Sequence, residues 1–244
     1  MTRRRSKIRR MELYYSGGGV ELYHGSALDS PEKWTSATAL ITDPPYGISY
    51  TRLPNGGKDF RDVAGDSSVT VRDQMLDAWS AVNGLRKPVA VFGSWKAPRP
   101  PQTRQRLIWD KRGANMRHLS LAWRPVDEEI YIWGRGWTRS TRAPASIIST
   151  SESRTAETRR LGHPTPKPVD LLQEIMRRLE PVAGGHVVAD TFAGSGSTLV
   201  AAASLGHRGI GVELDERYCE QIARRVEFFL ANGEDAPRRV IMGE

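Results

Sequence analysis

Apolar positions along the chain fall into two kinds of run. Ala39-Leu40-Ile41, Val89-Ala90-Val91-Phe92 and Val187-Val188-Ala189 are short and continuous, and Gly209-Ile210-Gly211-Val212 is similar. Such runs, bounded by turn residues, predict strands buried on both faces. Arg106-Leu107-Ile108-Trp109 and Glu129-Ile130-Tyr131-Ile132-Trp133 predict two more strands. A short strand or two is expected in residues 12–28, around the flexible turn Gly17-Gly18-Gly19. Elsewhere the spacing turns helical: Met75, Leu76, Trp79 and Val82 within residues 73–85, and Leu171, Leu172, Ile175, Met176 and Leu179 in a helix starting near Pro168. Residues 47–66, rich in Gly, Asn, Pro and Asp, are expected to form a long mobile loop, and residues 96–101 a proline-rich break. Residues 134–161 show no periodicity.

Buried strands alternating with helices predict an α/β fold with a doubly wound, mostly parallel sheet. The 244 residues suffice for one such domain (residues 11–244) with a modest insertion, preceded by a basic, disordered arm at residues 1–10. No apolar stretch is long enough to span a membrane, and no hydrophobic segment follows the first positive charges, which argues against a secretory signal. The single cysteine, Cys219, excludes an internal disulfide and reads as a packing residue. None of the five histidines has metal-ligand spacing, so no metal requirement is expected.

The formal net charge of +8 is concentrated in three places. Arg3, Arg4, Arg5, Lys7, Arg9 and Arg10 crowd the N-terminus. A second band runs from Arg86 to Arg124, and a third holds Arg135, Arg139, Arg142, Arg154, Arg159 and Arg160. The two later bands favour a polyanionic partner; the first suits either a polyanion or a solvated tail.

Two stretches carry chemistry. Asp43-Pro44-Pro45-Tyr46 follows the Ala39 strand. Each proline fixes φ and removes a backbone donor, so the turn is stiff and presents acceptors. A carboxylate, a free carbonyl and a flat ring suit a planar base with an exocyclic amino group. Hydrogen bonds to Asp43 and to the Pro44 carbonyl would draw the nitrogen lone pair out of conjugation and aim it at an electrophile. Far downstream, Asp190-Thr191-Phe192-Ala193-Gly194-Ser195-Gly196 links a strand to a helix beginning at Ser197, a cradle for a nucleotide-type cofactor. The next strand ends at Glu213, which is placed to hold ribose hydroxyls. No lysine lies between Asp190 and Glu213, as a phosphate loop would need, and Leu199 stands where a dinucleotide fingerprint has its third glycine. Asp190 would repel a pyrophosphate. A cofactor with a cationic amino-acid end and a ribose, such as S-adenosylmethionine, fits these residues better.

Taken in order, Asp43 to Tyr46, His163-Pro164-Thr165-Pro166-Lys167-Pro168, Phe192 to Gly196, and Gly211-Val212-Glu213-Leu214-Asp215 with Tyr218 resemble the beta group of DNA amino-methyltransferases. The resemblance covers residues 12–229 and implies the S-adenosylmethionine-dependent methyltransferase fold with a circularly permuted motif order. It implies methyl transfer to the amino nitrogen of a flipped-out base in double-stranded DNA. Adenine N6 is preferred, because the loop opens on Asp rather than Ser; cytosine N4 is the alternative, and an inactive DNA-binding relic is the non-enzyme alternative. A dinucleotide oxidoreductase is disfavoured by Leu199, and Cys219 has no setting for carbon-5 methylation of cytosine.

The resemblance assigns catalysis to Asp43, Pro44, Pro45 and Tyr46. Cofactor binding falls to His24, Ser26, Ala27, Asp43, Thr165, Lys167, Asp190, Phe192, Ala193, Gly194, Ser195, Gly196, Ser197, Glu213 and Leu214. Ser26 stands where the family usually carries an acid that helps to hold the adenine ring. A short recognition insertion is expected at residues 133–162, with DNA contacts from Lys111, Arg112, Arg117, Arg135, Trp137 and Arg139. Trp133 and Trp137 fit either stacking on bases or local packing. A monomer or homodimer in a bacterial or phage-infected cytoplasm, within a restriction-modification setting, completes what the resemblance implies.

Overall fold

A computed structural model of the chain describes residues 10–46, 69–111, 122–123, 125–150, 161, 163 and 165–243. Residues 1–9 of the expected basic arm, the loop at residues 47–66, Arg112, Arg117 and residues 151–160 lie outside these.

Among the described residues, nine strands form one sheet in the order β1-β2-β9-β8-β3-β4-β6-β5-β7. Its strands are β1 (Glu12–Gly17), β2 (Val20–His24), β3 (Ala39–Thr42), β4 (Val89–Gly93), β5 (Gln105–Asp110), β6 (Asp127–Trp133), β7 (Ile147–Ser149), β8 (Val187–Asp190) and β9 (Arg208–Glu213). Pairing is antiparallel where β1 meets β2 and where β6 meets β4 and β5, and parallel elsewhere. The sheet is open, mixed and mostly parallel, as the continuous apolar runs predict.

Helices cover both faces. Helices α1 (Glu32–Thr35) and α2 (Thr70–Asn83) pack on one side, where Trp34 and Trp79 stack at 6.2 Å over Leu40, Val89, Val91 and Ala189. Helices α3 (Val169–Met176), α4 (Ser197–Ser204) and α5 (Glu216–Asn232) pack on the other. Strand β3 shows why a continuous apolar run is needed: Leu40 faces the first layer, while Ala39 and Ile41 face the second. Helix α6 (Arg238–Met242) closes the end of α5.

Leu199 acquires a physical role in this packing. A Cβ on Gly209 or Gly211 of β9 would lie 2.9 or 2.7 Å from its methyl carbons. The glycines that let helix and sheet approach thus sit on the strand, and the helix supplies the leucine. Two helices differ modestly from expectation. Helix α2 starts three residues earlier than its apolar spacing predicts. Helix α3 stops at Met176, after which Arg178 and Leu179 donate to Ile175 and Met176 in tighter turns. Strand β7 was not expected at all: it is three residues long and exists by pairing with β5.

Among the described residues, no helix is long and apolar enough to cross a membrane.

Candidate active site

The parallel strands deliver their carboxyl ends to one edge of the sheet, and β6, running the other way, starts there. Strand β3 leads through α2 to β4 on one side; β8 leads through α4 to β9 on the other. The crevice between β8 and β3 is therefore a topological switch point, where open α/β sheets bind ligands. Asp43 and the glycine loop flank it from opposite ends of the sequence.

A direct bond ties the two. Thr42 Oγ1, one residue before Asp43, donates to Asp190 Oδ1 at 2.8 Å and lies 3.1 Å from Thr191 Oγ1. The Phe192 N–H caps the same carboxylate oxygen at 3.1 Å. Burial pushes the Asp190 carboxyl up to about 6, against the pull of hydrogen bonds from Thr198, Thr42 and Phe192.

The glycine loop is held from below. Gly194 (φ +53°) and Gly196 (φ +77°) take the left-handed backbone. A Cβ on Gly194 would sit 3.0 Å from His163 Nε2. His163 accepts from the Thr165 N–H (3.3 Å) and packs edge-on to Tyr218 at 4.8 Å. Burial, with Lys167 and Arg225 nearby, lowers its pKa to about 3, so the ring is neutral.

Arg225 of α5, 0% exposed, reaches under the same loop. It donates to the Ser195 carbonyl (2.7 Å) and Ser197 Oγ (3.1 Å) and forks onto Asp235 at 2.7 and 2.6 Å. Nothing in the local sequence marks this residue. Arg225→Met is expected to cost about 3 kcal/mol by breaking a buried ion pair and removing the donor to the Ser195 carbonyl, seen as a fall in melting temperature of about 6–12 °C. An unchanged melting temperature would mean the loop is held by other contacts.

Glu213 closes the cofactor side. Its Oε2 accepts from the Gly194 N–H at 2.8 Å and its Oε1 from the Asp215 N–H at 2.9 Å. Two lone-pair sites on each carboxylate oxygen leave capacity for hydroxyl donors. Burial raises this carboxyl to about 7, with the backbone donors opposing. The tip of β2 joins here, since Gly25 N–H donates to the Glu213 carbonyl (2.9 Å) and His24 Nε2 lies 3.2 Å from the Leu214 carbonyl. Ser26 Oγ accepts from the Leu28 N–H at 3.3 Å, so its hydroxyl proton is directed elsewhere.

Asp43 is not alone on its side. Tyr46 donates its hydroxyl to Asp43 Oδ1 at 2.7 Å, and the Lys167 ammonium contacts Asp43 Oδ2. Lys167 also lies 3.2 Å from Glu128 Oε2, and Glu128 Oε1 is 2.6 Å from the Lys111 ammonium. Burial pushes the Asp43 carboxyl up, Lys167 opposes this, and Glu128 reinforces it. Lysines and carboxylates thus alternate in a buried row along the edge formed by the carboxyl ends of β3 and β5 and the start of β6.

Several expected placements differ in the structure. Lys111, expected at the DNA, is buried in an ion pair with Glu128. Lys167, expected to bind the cofactor, contacts the Asp43 carboxylate. Trp137 and Arg135 emerge from the carboxyl end of β6, which runs against β4 and so ends at the opposite edge from Asp43. There Arg135 N–H donates to the Leu85 carbonyl, and Trp137 donates its indole N–H to the Trp133 carbonyl and bridges Leu179. Thr138 N–H binds the Arg178 carbonyl, which keeps the neighbouring Arg139 at that edge. Trp137 therefore packs locally, and Trp133 is buried in the core. Lys87 also caps carbonyls of Ser36 and Ala37 at the far edge. The described members of the basic band are thus not gathered at one edge. Cys219 is fully buried and its thiol is pushed up to about 12 by burial, which suits packing and no nucleophilic role.

A nucleotide-cofactor cradle beside an acceptor-rich pocket, at the switch point of an open α/β sheet, defines a group-transfer enzyme fold of the methyltransferase type. Residues 95–224, more than half of the chain, match the family model for DNA methylases acting at N6 and N4, and the chain belongs to that family. It is 53% identical over 57 residues to YubD of Escherichia coli (strain K12), covering 23% of this chain and 24% of that protein. It is 40% identical over 65 residues to the type II methyltransferase M2.DpnII of Streptococcus pneumoniae, covering 27% of this chain and 24% of that protein. The chain thus spans about a quarter of the length of these curated relatives. Solved structures share the fold. The M1.HpyAVI–SAM complex superposes with TM-score 0.59 at 17% identity over 85% of this chain and 99% of that one. The cytosine-N4-specific PvuII DNA methyltransferase gives 0.59 at 15% identity over 96% of each.

Proposed function

We propose that the protein transfers a methyl group from S-adenosylmethionine to the exocyclic amino nitrogen of a base in double-stranded DNA, adenine N6 in preference to cytosine N4. The observation that carries this reading is the Thr42–Asp190 bond, which brings the Asp43 turn and the glycine loop to one crevice. Membership of the DNA methylase family gives the reaction class.

The residues present fit the cofactor. The left-handed backbone of Gly194 and Gly196 lets the loop turn tightly against His163 and Ile222 without side chains of its own, and Glu213 has acceptor capacity for two ribose hydroxyls. Asp190 and the lysine-free loop favour a cationic ligand over a pyrophosphate. When bound, S-adenosylmethionine supplies an electrophilic methyl group on a sulfonium.

The chain's part is positioning and charge. Asp43 and the Pro44 carbonyl accept the two amino hydrogens of the base and turn its lone pair toward the cofactor side. The Asp43 carboxylate offsets positive charge forming on that nitrogen, and the proton leaves after transfer. Tyr46 supplies a stacking ring. A paired base cannot reach this crevice, so the nucleotide is flipped out, at a cost of a few kcal/mol. Trp95, 71% exposed with Lys96 over its ring at 5.6 Å, projects just beyond β4 at the edge that holds Asp43 and offers an apolar and cationic contact for the duplex. Adenine is preferred because the turn opens on Asp43.

Plasmid DNA incubated with methyl-labelled cofactor and digested to nucleosides tests the reading. Label in N6-methyladenine is expected. Label in N4-methylcytosine would correct the base, and unlabelled DNA would overturn the proposal.

A further inference from the structure

We propose that Lys167 is a specificity-determining residue that reads the ring nitrogen beside the target amino group, and that Glu128 positions it for this. The inference rests on the methyl-transfer reading above and names the part of the base that the site recognises.

Three observations meet at one ammonium group. Lys167 Nζ touches Asp43 Oδ2, the carboxylate assigned to the amino group. It lies 5.9 Å from the centre of the Tyr46 ring, the surface assigned to stacking, and 5.1 Å from the centre of the Phe92 ring. It is anchored from behind by Glu128 at 3.2 Å, which is itself held by Lys111 at 2.6 Å. A cationic donor is therefore fixed beside an anionic acceptor, both at the stacking ring.

Adenine and cytosine present the complementary pair. Each has an amino donor directly beside a ring-nitrogen acceptor, N1 in adenine and N3 in cytosine. Thymine reverses the order, with a carbonyl acceptor beside an N–H donor, and guanine likewise sets its O6 acceptor beside an N–H donor. A base stacked on Tyr46 with its amino group on Asp43 brings that ring nitrogen toward Lys167. The ammonium keeps Glu128 and turns the donation it makes to Asp43 onto the base. Asp43 is thereby released to the amino group at the moment it is needed. Side-chain exposure is 22% for Asp43 and 7% for Lys167, so the approach is from the carboxylate side.

Glu128 makes this exchange affordable in charge. The row Lys111, Glu128, Lys167 and Asp43 pairs two lysines with two carboxylates. Without Glu128, Lys167 would remain bound to Asp43 and compete with the base.

The test uses short duplexes carrying, at the position labelled in the plasmid experiment, either adenine or 1-deazaadenine, in which N1 is replaced by C–H. The wild-type protein is expected to favour adenine by about tenfold to a hundredfold in kcat/KM, the worth of one hydrogen bond to a charged donor. Lys167→Met should methylate both duplexes slowly and at nearly equal rates. Lys167→Arg should restore part of the preference, and Glu128→Gln should shrink it. A merely structural lysine would lower both rates together and leave their ratio intact. Binding of S-adenosylmethionine to each variant verifies folding. If Lys167→Met does not fold, the ratio in the Lys167→Arg and Glu128→Gln proteins decides. Equal wild-type rates on the two duplexes, or an unchanged ratio in the variants, would overturn the role of Lys167 while leaving methyl transfer standing. No transfer to either duplex by wild-type protein would overturn the methyl-transfer reading itself. If the plasmid label falls on cytosine, 3-deazacytosine replaces 1-deazaadenine and the same ratios apply.

Discussion

Replacing Asp43 by alanine is expected to lower the methyl-transfer rate constant by about 10²–10³-fold, the usual cost of removing one preorganised charge partner from a transition state. The cofactor should still bind, because Asp43 makes none of the contacts that shape the glycine loop. Those belong to Thr42, Asp190, His163, Glu213 and Arg225. Stability should change little. Lys167 loses one carboxylate but keeps Glu128 at 3.2 Å, and the Tyr46 hydroxyl keeps a second acceptor, Glu128 Oε2, at 3.5 Å. Asp43→Asn sharpens the test. Its amide oxygen can still accept a hydrogen bond, but it carries no charge to offset the forming ammonium. If charge is what Asp43 contributes, the asparagine protein should be nearly as slow as the alanine protein. If only acceptance matters, it should retain most of the rate. Single-turnover methylation with saturating cofactor, alongside cofactor titration, separates the two effects. A rate near wild type in Asp43→Ala would remove Asp43 from the chemistry.

Much of the cofactor side can be read from the chain because it is local. A buried run, a glycine turn and a helix are contiguous from Val187 to Ser204, and Glu213 closes the next strand. The Asp43 turn is legible for the same reason. Only the pairing of β3 with β8 brings these two stretches together, through the registers Ala39↔Val188 and Leu40↔Ala189. What escaped the sequence depends on non-local register. Glu128 meets Lys111 because β5 and β6 pair antiparallel with Trp109 opposite Glu128, and no spacing rule encodes that. The acidic pair Glu128-Glu129 opening an apolar strand was the available signal. Charges there must find partners or stay in water. The position of Trp137 depends on strand direction, which is not written in composition. An aromatic, basic stretch after β6 looks like a DNA contact until the antiparallel pairing with β4 carries it to the far edge. Strand β7 has too few residues for any periodicity to register, and its place comes from the edge of β5.

The affinity for S-adenosylmethionine is expected to fall as pH drops below about 7, through Glu213. This carboxyl has an ordinary value of 4.5 and is raised to about 7, first by burial, with the N–H groups of Asp215, Gly194 and Leu214 pulling the other way. Between those values the folded protein holds a proton that the unfolded chain has released. Its contribution to stability is therefore full below 4.5 and is lost as pH rises through about 7. Cofactor binding runs the opposite way. Ribose hydroxyls donate to the ionised carboxylate, so binding must expel the proton, and affinity drops by up to about tenfold per pH unit on the acid side. Asp190, at about 6, adds to the slope only at the lower end, and His163, at about 3, stays neutral throughout. Calorimetric titration from pH 8 to pH 6 measures the slope. Glu213→Gln should bind about tenfold to a hundredfold more weakly at pH 8, having lost charged acceptors, and its affinity should be nearly flat down to about pH 6.5. A wild-type profile as flat as that of the glutamine protein would show that Glu213 does not hold the ribose. A steep profile in both would move the titrating group to Asp190.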